Sequence, residues 1–194
     1  MSSMGSEDRP PLSRDVRLAG GGIELRPLAT EHAVTLDEAV RESTAELQRT
    51  VPWWRPDATV ADQETWARFT RDAWEKGTLY AFVILDPDGT LLGACSLEGV
   101  DRQRSAANLS YWVRTSATGR GVARAAARLL AGWGVGPVGL HRVEISMVIS
   151  NAASRAAAAA SGAVAEGVLR NKARWAGESH DMAVFSFVPA DFAP

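Results

Sequence analysis

The segment YWVRTSATGRGVARAAARLLAGWG, residues 111–134, joins a short apolar run to a long Ala-rich run through Gly119-Arg120-Gly121. Glycines let a backbone approach a ligand closely, and the first N–H groups of a helix have no acceptor within the helix. The helix dipole places partial positive charge at the same end, and Arg120 adds a full charge that can reach phosphate oxygens. The junction therefore predicts a strand, a phosphate-binding loop and a helix, in that order.

Two common nucleotide-binding motifs do not fit this junction. The Walker type requires Gly-Lys followed by Ser or Thr, which this loop lacks. The dinucleotide fingerprint requires a third glycine where Arg124 stands, and a parallel strand early in the chain. Here the loop lies beyond the middle of the chain and follows a predicted antiparallel hairpin, so neither motif applies.

The hydrophobic pattern upstream of the loop predicts two extended pieces and two helices. Residues 16–28 alternate as extended pieces around three consecutive glycines. Residues 30–47 and 60–77 have helical periodicity, with Thr30 as the N-cap of the first helix. The apolar side of the second helix is expected to comprise Trp66, Phe69, Ala73 and Trp74.

Further strands are predicted before and after the loop. Residues 79–86 and 91–100 form a hairpin around an Asp-Pro-Asp-Gly turn, and residues 108–114 form the strand that enters the loop. After the loop, residues 141–150 alternate with a period of two, residues 151–162 are helical, and two strands close the chain. The helix after the loop is expected to pack on the sheet through Val122, Ala126, Leu129, Leu130 and Trp133.

This order of elements predicts an α+β fold, with a mixed, mostly antiparallel central sheet and flanking helices. We expect one domain over residues 16–194, preceded by a flexible polar tail at residues 1–15. The chain has no apolar run near the roughly 20 residues that cross a bilayer, and its N-terminus lacks the apolar core of a signal peptide. A cytoplasmic protein without membrane contact is therefore expected. The formal net charge of −2 gives no electrostatic reason to expect nucleic acid binding.

The single cysteine and the three histidines do not indicate a reactive thiol or a metal site. Cys95 lies in the apolar stretch LLGACSL, which favours a small buried hydrophobe over a nucleophile. His32, His141 and His180 do not pair with Cys, Asp or Glu at a spacing typical of metal ligands. We therefore predict no metal cofactor.

Residues 118–123, TGRGVA, resemble the diphosphate loop of the GNAT acetyltransferases, Arg/Gln-x-x-Gly-x-Gly/Ala, with Thr118 in place of the first Arg or Gln. The segments IELRPL, YWV, LHRVEI, NAAS and GAVAEGVLRN look like the Rim-type branch of that family, whose members modify N-termini of ribosomal proteins. The resemblance extends over residues 16–187. It implies the GNAT fold, in which two neighbouring parallel strands splay apart.

The resemblance also implies acetyl-CoA as the co-substrate, held between the strands of residues 108–114 and 141–149. A splay leaves backbone amides unpaired, and the pantetheine arm would satisfy them along Tyr111, Trp112 and Val113. One N–H there would also hold the oxyanion that develops on the thioester. The implied contacts to the rest of the coenzyme come from Thr118, Gly119, Arg120, Gly121, Val122, Ala123, Arg124, Asn151 and Ser154.

By the same resemblance, an amine attacks the thioester directly, and Ser154 donates a hydrogen bond or a proton to the departing thiolate. The alternative is that Asn151 and Ser154 only cap the following helix. The glutamates that serve as the general base in related enzymes fall at Ala173 and Asn108 in this sequence. Glu98 is our substitute for the missing base, acting directly or through water, unless it is only an exposed strand carboxylate.

The acceptor site and the remaining titratable groups are less constrained. Trp53 and Trp54 are predicted either to form an acceptor pocket or to be core or dimer-contact residues. Glu42 and Glu46 either recognise a positively charged amine or are solvated helix carboxylates. Asp101 and Glu144 are weaker candidates for the base. Asp181 is interpreted as structural, and His180 is assigned no role.

The predicted activity is acetyl transfer from acetyl-CoA to a primary amine, with a protein N-terminal α-amine as the first choice. An α-amine, with a pKa of about 8, is partly neutral near pH 7, whereas a lysine, at about 10.4, is not. A site with a poor base therefore favours the α-amine. Two alternatives are a small-molecule acetyltransferase for antibiotics, amino acids or polyamines, and a catalytically weak CoA-binding regulatory module. Another acyl donor and a homodimer are left open.

Overall fold

The computed structural model describes residues 11–50, 57–175 and 177–193. The strands are β1 (Leu18–Gly20), β2 (Ile23–Pro27), β3 (Tyr80–Leu85), β4 (Leu91–Asp101), β5 (Ala106–Val113), β6 (Arg142–Val148), β7 (Val164–Trp175) and β8 (Glu178–Phe187). The helices are α1 (Ala33–Glu42), α2 (Thr44–Thr50), α3 (Val60–Glu75), α4 (Val122–Trp133) and α5 (Ala152–Ala160). The order of these elements confirms the predicted α+β class. Most of the predicted N-terminal tail, residues 1–10, lies outside the described part of the chain.

The strands form one sheet in the order β1-β2-β3-β4-β5-β6-β8-β7. Its neighbours are antiparallel except for β5 and β6, which are parallel because α4 carries the chain back across the sheet between them. The mixed, mostly antiparallel sheet that the sequence predicts is therefore confirmed. The parallel pair lies in the interior of the sheet, and β5 leads directly into the glycine loop.

Helices cover both faces of the sheet, and β3 shows how the faces differ. All six residues of β3 are buried, which fits a strand covered on both sides. Tyr80, Phe82 and Ile84 belong to the larger core, together with residues of α4 and Ala158 of α5. The alternating residues Ala81, Val83 and Leu85 belong to a second core formed with α1 and α3.

The apolar face of α4 is confirmed by the structure. Val122, Ala126, Leu130 and Trp133 are buried in the larger core, and Leu129 is partly buried against it. The Trp133 indole packs edge-on against the rings of Tyr80 and Phe82, with centroids 5.1 and 5.4 Å apart. Aromatic pairs of this kind contribute about 0.5–1.5 kcal/mol beyond the area that they bury, so they hold α4 firmly on the sheet.

The predicted apolar side of α3 is wrong by one residue around the helix. Trp66 and Phe69 are exposed, at 41% and 55% of their surface, and stack on each other with centroids 5.4 Å apart. Ala67 and Thr70 take the inward positions together with Ala73 and Trp74. Small residues at a contact let two helices approach closely. The small residues of α3 therefore face α1, and Trp66 and Phe69 point outwards.

The predicted cap of the first helix is also wrong. A 3-10 turn over Thr30–His32 precedes α1, and the residue at its N-cap position is Ala29. The free N–H of Ala29 is satisfied by Nδ1 of His32, at 3.1 Å. His32 therefore satisfies the N–H of the N-cap residue from within the turn, and no hydroxyl caps this helix start.

None of the described helices is long and apolar enough to cross a membrane. Among the described residues, His, Cys, Asp and Glu side chains form no group of three that could hold a metal ion.

Candidate active site

The parallel strands β5 and β6 separate after a short paired stretch. They pair only at residues 106–108 and 142–144, although β5 continues to Val113 and β6 to Val148. The predicted splay is therefore present. Beyond Asn108, the two strands leave a gap in the middle of the sheet, at the end of β5 that leads into the glycine loop.

Backbone alternation shows which residues of β5 face this gap. The N–H of Arg114 donates to the carbonyl oxygen of Leu92 on β4, at 2.8 Å. Backbone polar groups of successive strand residues point to opposite sides, so Trp112 also faces β4, whereas Tyr111 and Val113 face the gap. The Trp112 side chain packs against the second core. The structure therefore does not support Trp112 as a backbone contact of the coenzyme.

Backbone N–H and C=O groups at a strand edge without a neighbouring strand are costly in the folded state unless a ligand or water pairs with them. On the β6 side, Ser146 carries a buried hydroxyl oxygen with no hydrogen-bond partner among the described residues. Ser146 follows Glu144, the last residue of β6 that pairs with β5. An extended ligand with amide groups would pair with both strand edges.

The glycine loop has the geometry that the sequence predicts. Gly119 and Gly121 have φ values of 75° and 78°, in the left-handed region that favours glycine, and Gly121 is the N-cap of α4. The first hydrogen bond within the helix runs from Ala125 N to Gly121 O, at 3.0 Å. The N–H groups of Val122, Ala123 and Arg124 are therefore left for a ligand at the positive end of the helix dipole.

Three cations of this region have different roles. Arg120 and Arg124 are exposed, and the Arg124 guanidinium lies 3.9 Å from where a Cβ on Gly121 would be. Arg128 donates instead to the carbonyl oxygen of Asp191 at 2.7 Å, and it lies 4.1 Å from the centre of the Phe192 ring. Arg128 thus holds the C-terminal turn, whereas Arg120 and Arg124 lie beside the N-terminus of α4.

Tyr111 connects the gap to the start of α5. Its hydroxyl lies 3.0 Å from the carbonyl oxygen of Ser154, to which it donates, and 3.2 Å from the Ser154 Oγ. Burial raises the pKa of Tyr111, partly offset by its hydrogen bond to Ser154, so the phenol remains a neutral donor. Asn151 caps α5 by accepting the N–H of Ser154 at 3.0 Å, as the capping alternative expects.

Glu98 is the centre of a cluster of serine hydroxyls between β4 and β5, on the side of β5 away from β6. Its Oε1 accepts from Ser96 at 2.6 Å and from Ser110 at 2.5 Å, and the two serine oxygens are 2.8 Å apart. Ser96 lies directly opposite Ser110 in the sheet register. Ser110 precedes Tyr111 on β5, so the cluster is attached to a strand that forms one side of the gap. Sequence reasoning missed both serines, although the spacing of Ser96 and Glu98 by two residues already places them on one face of a strand.

The other predicted bases have structural partners. Asp101 accepts from Arg104, and Glu144 accepts from Arg142. Asp181 accepts the N–H of Asn171, which has a φ of 53°, so this carboxylate stabilises an irregularity of β7 as predicted.

His180 stacks on Trp175, with ring centroids 3.5 Å apart, and lies opposite Ala173 in the sheet register. Its Nε2 atom is buried and has no partner among the described residues.

The predicted acceptor contacts are only partly visible. Trp53 and Trp54 lie outside the described residues. Glu42 is bonded to Arg114 and Glu46 to Arg49, so both carboxylates already have cationic partners within the chain. Neither of the two functions stated for Glu42, amine recognition or simple solvation, matches this arrangement.

Cys95 is expected to be dispensable for activity. It is buried, and burial raises the pKa of its thiol far above the usual range, so the nucleophilic thiolate is suppressed. Cys95→Ala is expected to lower the free energy of unfolding by about 1 kcal/mol and to leave kcat/KM within about twofold, in assays of CoA release and thermal unfolding. Loss of turnover in a folded variant would instead indicate a covalent acyl-enzyme on this sulfur.

The separated strands, with a glycine loop and a helix N-terminus at one end of the gap, have the arrangement that the family resemblance implies. The acetyltransferase (GNAT) domain family matches residues 23–164, and the chain belongs to that family. The predicted family is therefore confirmed, and with it the assignment to acetyltransferases at the level of the family.

Individual relatives point the same way. The chain is 30% identical over 118 residues to YdaF of Bacillus subtilis (strain 168), whose name assigns it provisionally as a ribosomal N-acetyltransferase. That match spans 61% of each chain, so less than two thirds of the relative. A structure from Vibrio cholerae, provisionally titled a ribosomal-protein-serine acetyltransferase, is 26% identical, with a TM-score of 0.78 over 92% of this chain and all of that one. Mycobacterium smegmatis RimJ in complex with CoA-disulfide shares the fold, at 24% identity and a TM-score of 0.81, over 92% of this chain and 88% of that one.

Proposed function

We propose that this protein is an acetyl-CoA-dependent N-acetyltransferase that acetylates a primary amine, in the first instance a protein N-terminal α-amine. One observation carries the proposal: the gap between β5 and β6 opens at the glycine loop, and one of its two strands, β5, carries Ser110, which is hydrogen-bonded to Glu98. The diphosphate would bind at the N-terminus of α4, and the pantetheine arm would pair with the backbone of Tyr111 and Val113. RimJ, which has the same fold, binds a CoA compound in its structure.

The reaction would be direct. The amine nitrogen attacks the thioester carbonyl carbon, a C–N bond forms, and the C–S bond breaks to release CoA thiolate. A backbone N–H at the edge of β5 would stabilise the oxyanion of the tetrahedral intermediate. The ammonium proton would pass to the Glu98 carboxylate through the Ser110 hydroxyl, and the thiolate would be stabilised by the Ser154 hydroxyl and take its proton from water.

The choice of an α-amine rests on the weakness of this base. A carboxylate acting through a serine removes a proton less readily than a well-placed histidine, which suits an amine that is already partly neutral near pH 7. The names of the Bacillus and Vibrio relatives refer to ribosomal proteins, which supports a protein acceptor. A ribosomal-protein N-terminus is therefore the first acceptor to test.

An acceptor panel with CoA release as the readout tests the proposal. Peptides with a free N-terminus are compared with the same peptides carrying a blocked N-terminus and one lysine, and with free amino acids, polyamines and aminoglycosides. We expect release only with free N-termini. Release with small amines alone would favour the small-molecule enzyme. Saturable CoA binding without turnover over the whole panel would favour the regulatory module.

Ser154 and Tyr111 are expected to affect the chemical step rather than coenzyme binding. Ser154→Ala removes the hydroxyl that would stabilise the thiolate, and a hydrogen bond to a charged group typically contributes about 1.5–3 kcal/mol. We expect kcat to fall roughly tenfold to a hundredfold, with KM for acetyl-CoA changed by less than about twofold. Tyr111→Phe is expected to give a smaller fall, because the phenol acts by orienting Ser154.

Ser150→Ala is the matched control, because Ser150 is an exposed serine in the turn that precedes α5. Wild-type kcat in Ser154→Ala, measured with saturating acetyl-CoA, would leave Ser154 with a capping role only.

A further inference from the structure

Glu42, the last residue of α1, is bonded to the segment that leads into the glycine loop. Its Oε2 accepts from Arg114 Nε at 2.9 Å and from Arg114 Nη2 at 2.5 Å. Its Oε1 accepts the backbone N–H of Ser116 at 2.7 Å. Next to it, the Ser43 Oγ accepts the N–H of Thr115 at 3.1 Å. Three consecutive residues, 114–116, are thus attached to the C-terminal end of α1.

Arg114 also ties this junction to the sheet. Its Nη1 donates to the carbonyl oxygen of Leu91 on β4, at 3.0 Å. The side chains of Arg114 and Glu42 are only 21% and 30% exposed, so the ion pair is partly shielded from water. Charge-assisted hydrogen bonds in such an environment are stronger than those between neutral groups.

The carboxylate of Glu42 is ionised over the whole physiological range. Hydrogen bonds from Arg114 and then from Ser116 lower its pKa to about 2, from an ordinary value of 4.5. Because the pKa is lower in the folded state, the stabilisation is complete above pH 4.5 and is lost as the pH falls towards about 2.

The attached segment is separated from the loop by very few residues. Ala117 is buried, at 1% exposure, and the Thr118 hydroxyl donates back to the carbonyl oxygen of Thr115 at 2.8 Å. Gly119 and Gly121 follow at once, and neither would place a Cβ within 3.5 Å of another residue. The loop therefore makes few contacts of its own, and its position depends on the anchored residues before it.

The two ends of this connection lie in different layers of the fold. Residues of α1 belong to the core on one face of the sheet, and residues of α4 belong to the core on the other. Glu42 thus joins the helix layer over Trp112 to the segment that leads from the end of β5 to α4.

We propose that Glu42 is a positioning residue for the coenzyme: through Arg114 and the backbone of residues 115 and 116, it fixes the segment from which the loop Gly119–Gly121 extends. The proposal deepens the proposed function and rests on it. Without this carboxylate, the loop occupies additional conformations in which the N–H groups of α4 and the loop do not converge on one diphosphate. Affinity for the coenzyme then falls, while the reaction of the bound acetyl group is unchanged.

The test uses Glu42→Gln, which keeps the shape of the side chain and removes its charge. We expect the Kd for CoA by calorimetry and the KM for acetyl-CoA to rise about tenfold together, and kcat at saturating acetyl-CoA to stay within about twofold. Arg114→Gln is expected to have a similar effect, and the double variant to be no worse than the more damaging single variant, because both remove one interaction. Glu38→Gln on the exposed side of α1 is the matched control and is expected to bind as the wild type does.

Hydrogen exchange in the absence of ligand separates this proposal from the proposed function. Amides of residues 115–122 are expected to exchange faster in Glu42→Gln than in the wild type or Glu38→Gln, whether or not CoA is the natural ligand. Unchanged exchange, or unchanged CoA affinity in a wild type that binds CoA, would overturn the positioning role. A fall in melting temperature alone, with the same Kd in the folded protein, would reduce Glu42 to a stabilising contact and also overturn it. Faster exchange in a protein that binds no CoA derivative would reject the coenzyme and with it the role of Glu42 towards that ligand.

Discussion

Replacing Gly121 with valine is expected to weaken CoA binding at least about a hundredfold, the largest effect on affinity of any single substitution that we predict. Gly121 has a φ of 78°, and a β-branched residue is strongly disfavoured in that region. The strain is relieved by turning the N-cap, which moves the N–H groups of Val122 and Ala123 away from the diphosphate. Calorimetry with CoA and with acetyl-CoA measures the loss.

The expected effect is large because several interactions depend on one backbone angle. Each charge-assisted hydrogen bond from a helix N-terminus to phosphate contributes about 1.5–3 kcal/mol, so losing two or three exceeds the 2.7 kcal/mol that corresponds to roughly a hundredfold in affinity. Gly121→Ala has the same strain in milder form and is expected to bind with intermediate affinity.

Gly89→Val is the control for strain itself. Gly89 has a φ of 84° and, like Gly121, is near no group that a Cβ would strike, but it lies in the turn between β3 and β4. The Gly89→Val substitution is expected to lower the melting temperature of the protein without changing its Kd for CoA. Wild-type affinity in a folded Gly121→Val protein would mean that the glycine is only a bend.

The sequence was sufficient where the signal is local and periodic. The strands around the loop, the glycine loop itself and the apolar face of α4 follow from alternation, from the spacing of Gly119 and Gly121, and from a helical stripe ending at Trp133. Such signals depend on neighbours within a few residues. Tertiary contacts in this protein do not change the local structures that these signals predict. The splay of β5 from β6 came only from the family resemblance.

The errors occurred where neighbouring elements decide between similar local choices. Trp66 and Phe69 satisfy a helical stripe as well as Ala67 and Thr70 do, and only the close approach of α1 selects the smaller pair. The backbone direction of Trp112 follows from its pairing with β4, which periodicity alone does not give. In each case, the local pattern was correct and its orientation was set by a partner distant in sequence.

The polar contacts that Glu42 and Glu98 make with residues of other elements were not predictable from the sequence. Glu42 and Arg114 are 72 positions apart, and nothing in either local sequence indicates the other. The Ser110 contact to Glu98 spans 12 positions and depends on the register of β4 and β5. Because a shift of one residue in that register would turn Ser110 to the opposite face, its role is visible only in the folded sheet.

The second large effect is expected on the chemical step, from Glu98→Gln. With the carboxylate ionised, Ser96 and Ser110 can both donate to its Oε1, which leaves the lone pairs of Ser110 free to accept a proton from an amine at the gap. A glutamine has the same shape but takes no proton, so kcat is expected to fall about 10²–10³-fold with α-amine acceptors. KM for acetyl-CoA is expected to change little, because Glu98 lies away from the glycine loop.

The serines refine this prediction. Ser110→Ala interrupts the path between the amine and Glu98 and is expected to reduce kcat nearly as much as Glu98→Gln does. Ser96→Ala leaves the Ser110 contact in place and is expected to cost less than about fivefold. Glu38→Gln again serves as the control for removing a charge from the surface.

Acceptors of different basicity distinguish proton transfer from a general electrostatic effect. A peptide whose α-amine has a lower pKa is already neutral at the assay pH and needs less help from a base. The deficit of Glu98→Gln relative to wild type is therefore expected to shrink along a series of acceptors with decreasing amine pKa, in steady-state assays at saturating acetyl-CoA. A deficit that is constant along the series would assign Glu98 to binding the amine. Wild-type kcat throughout would mean that water removes the proton and that the cluster of Glu98, Ser96 and Ser110 only holds two strands together.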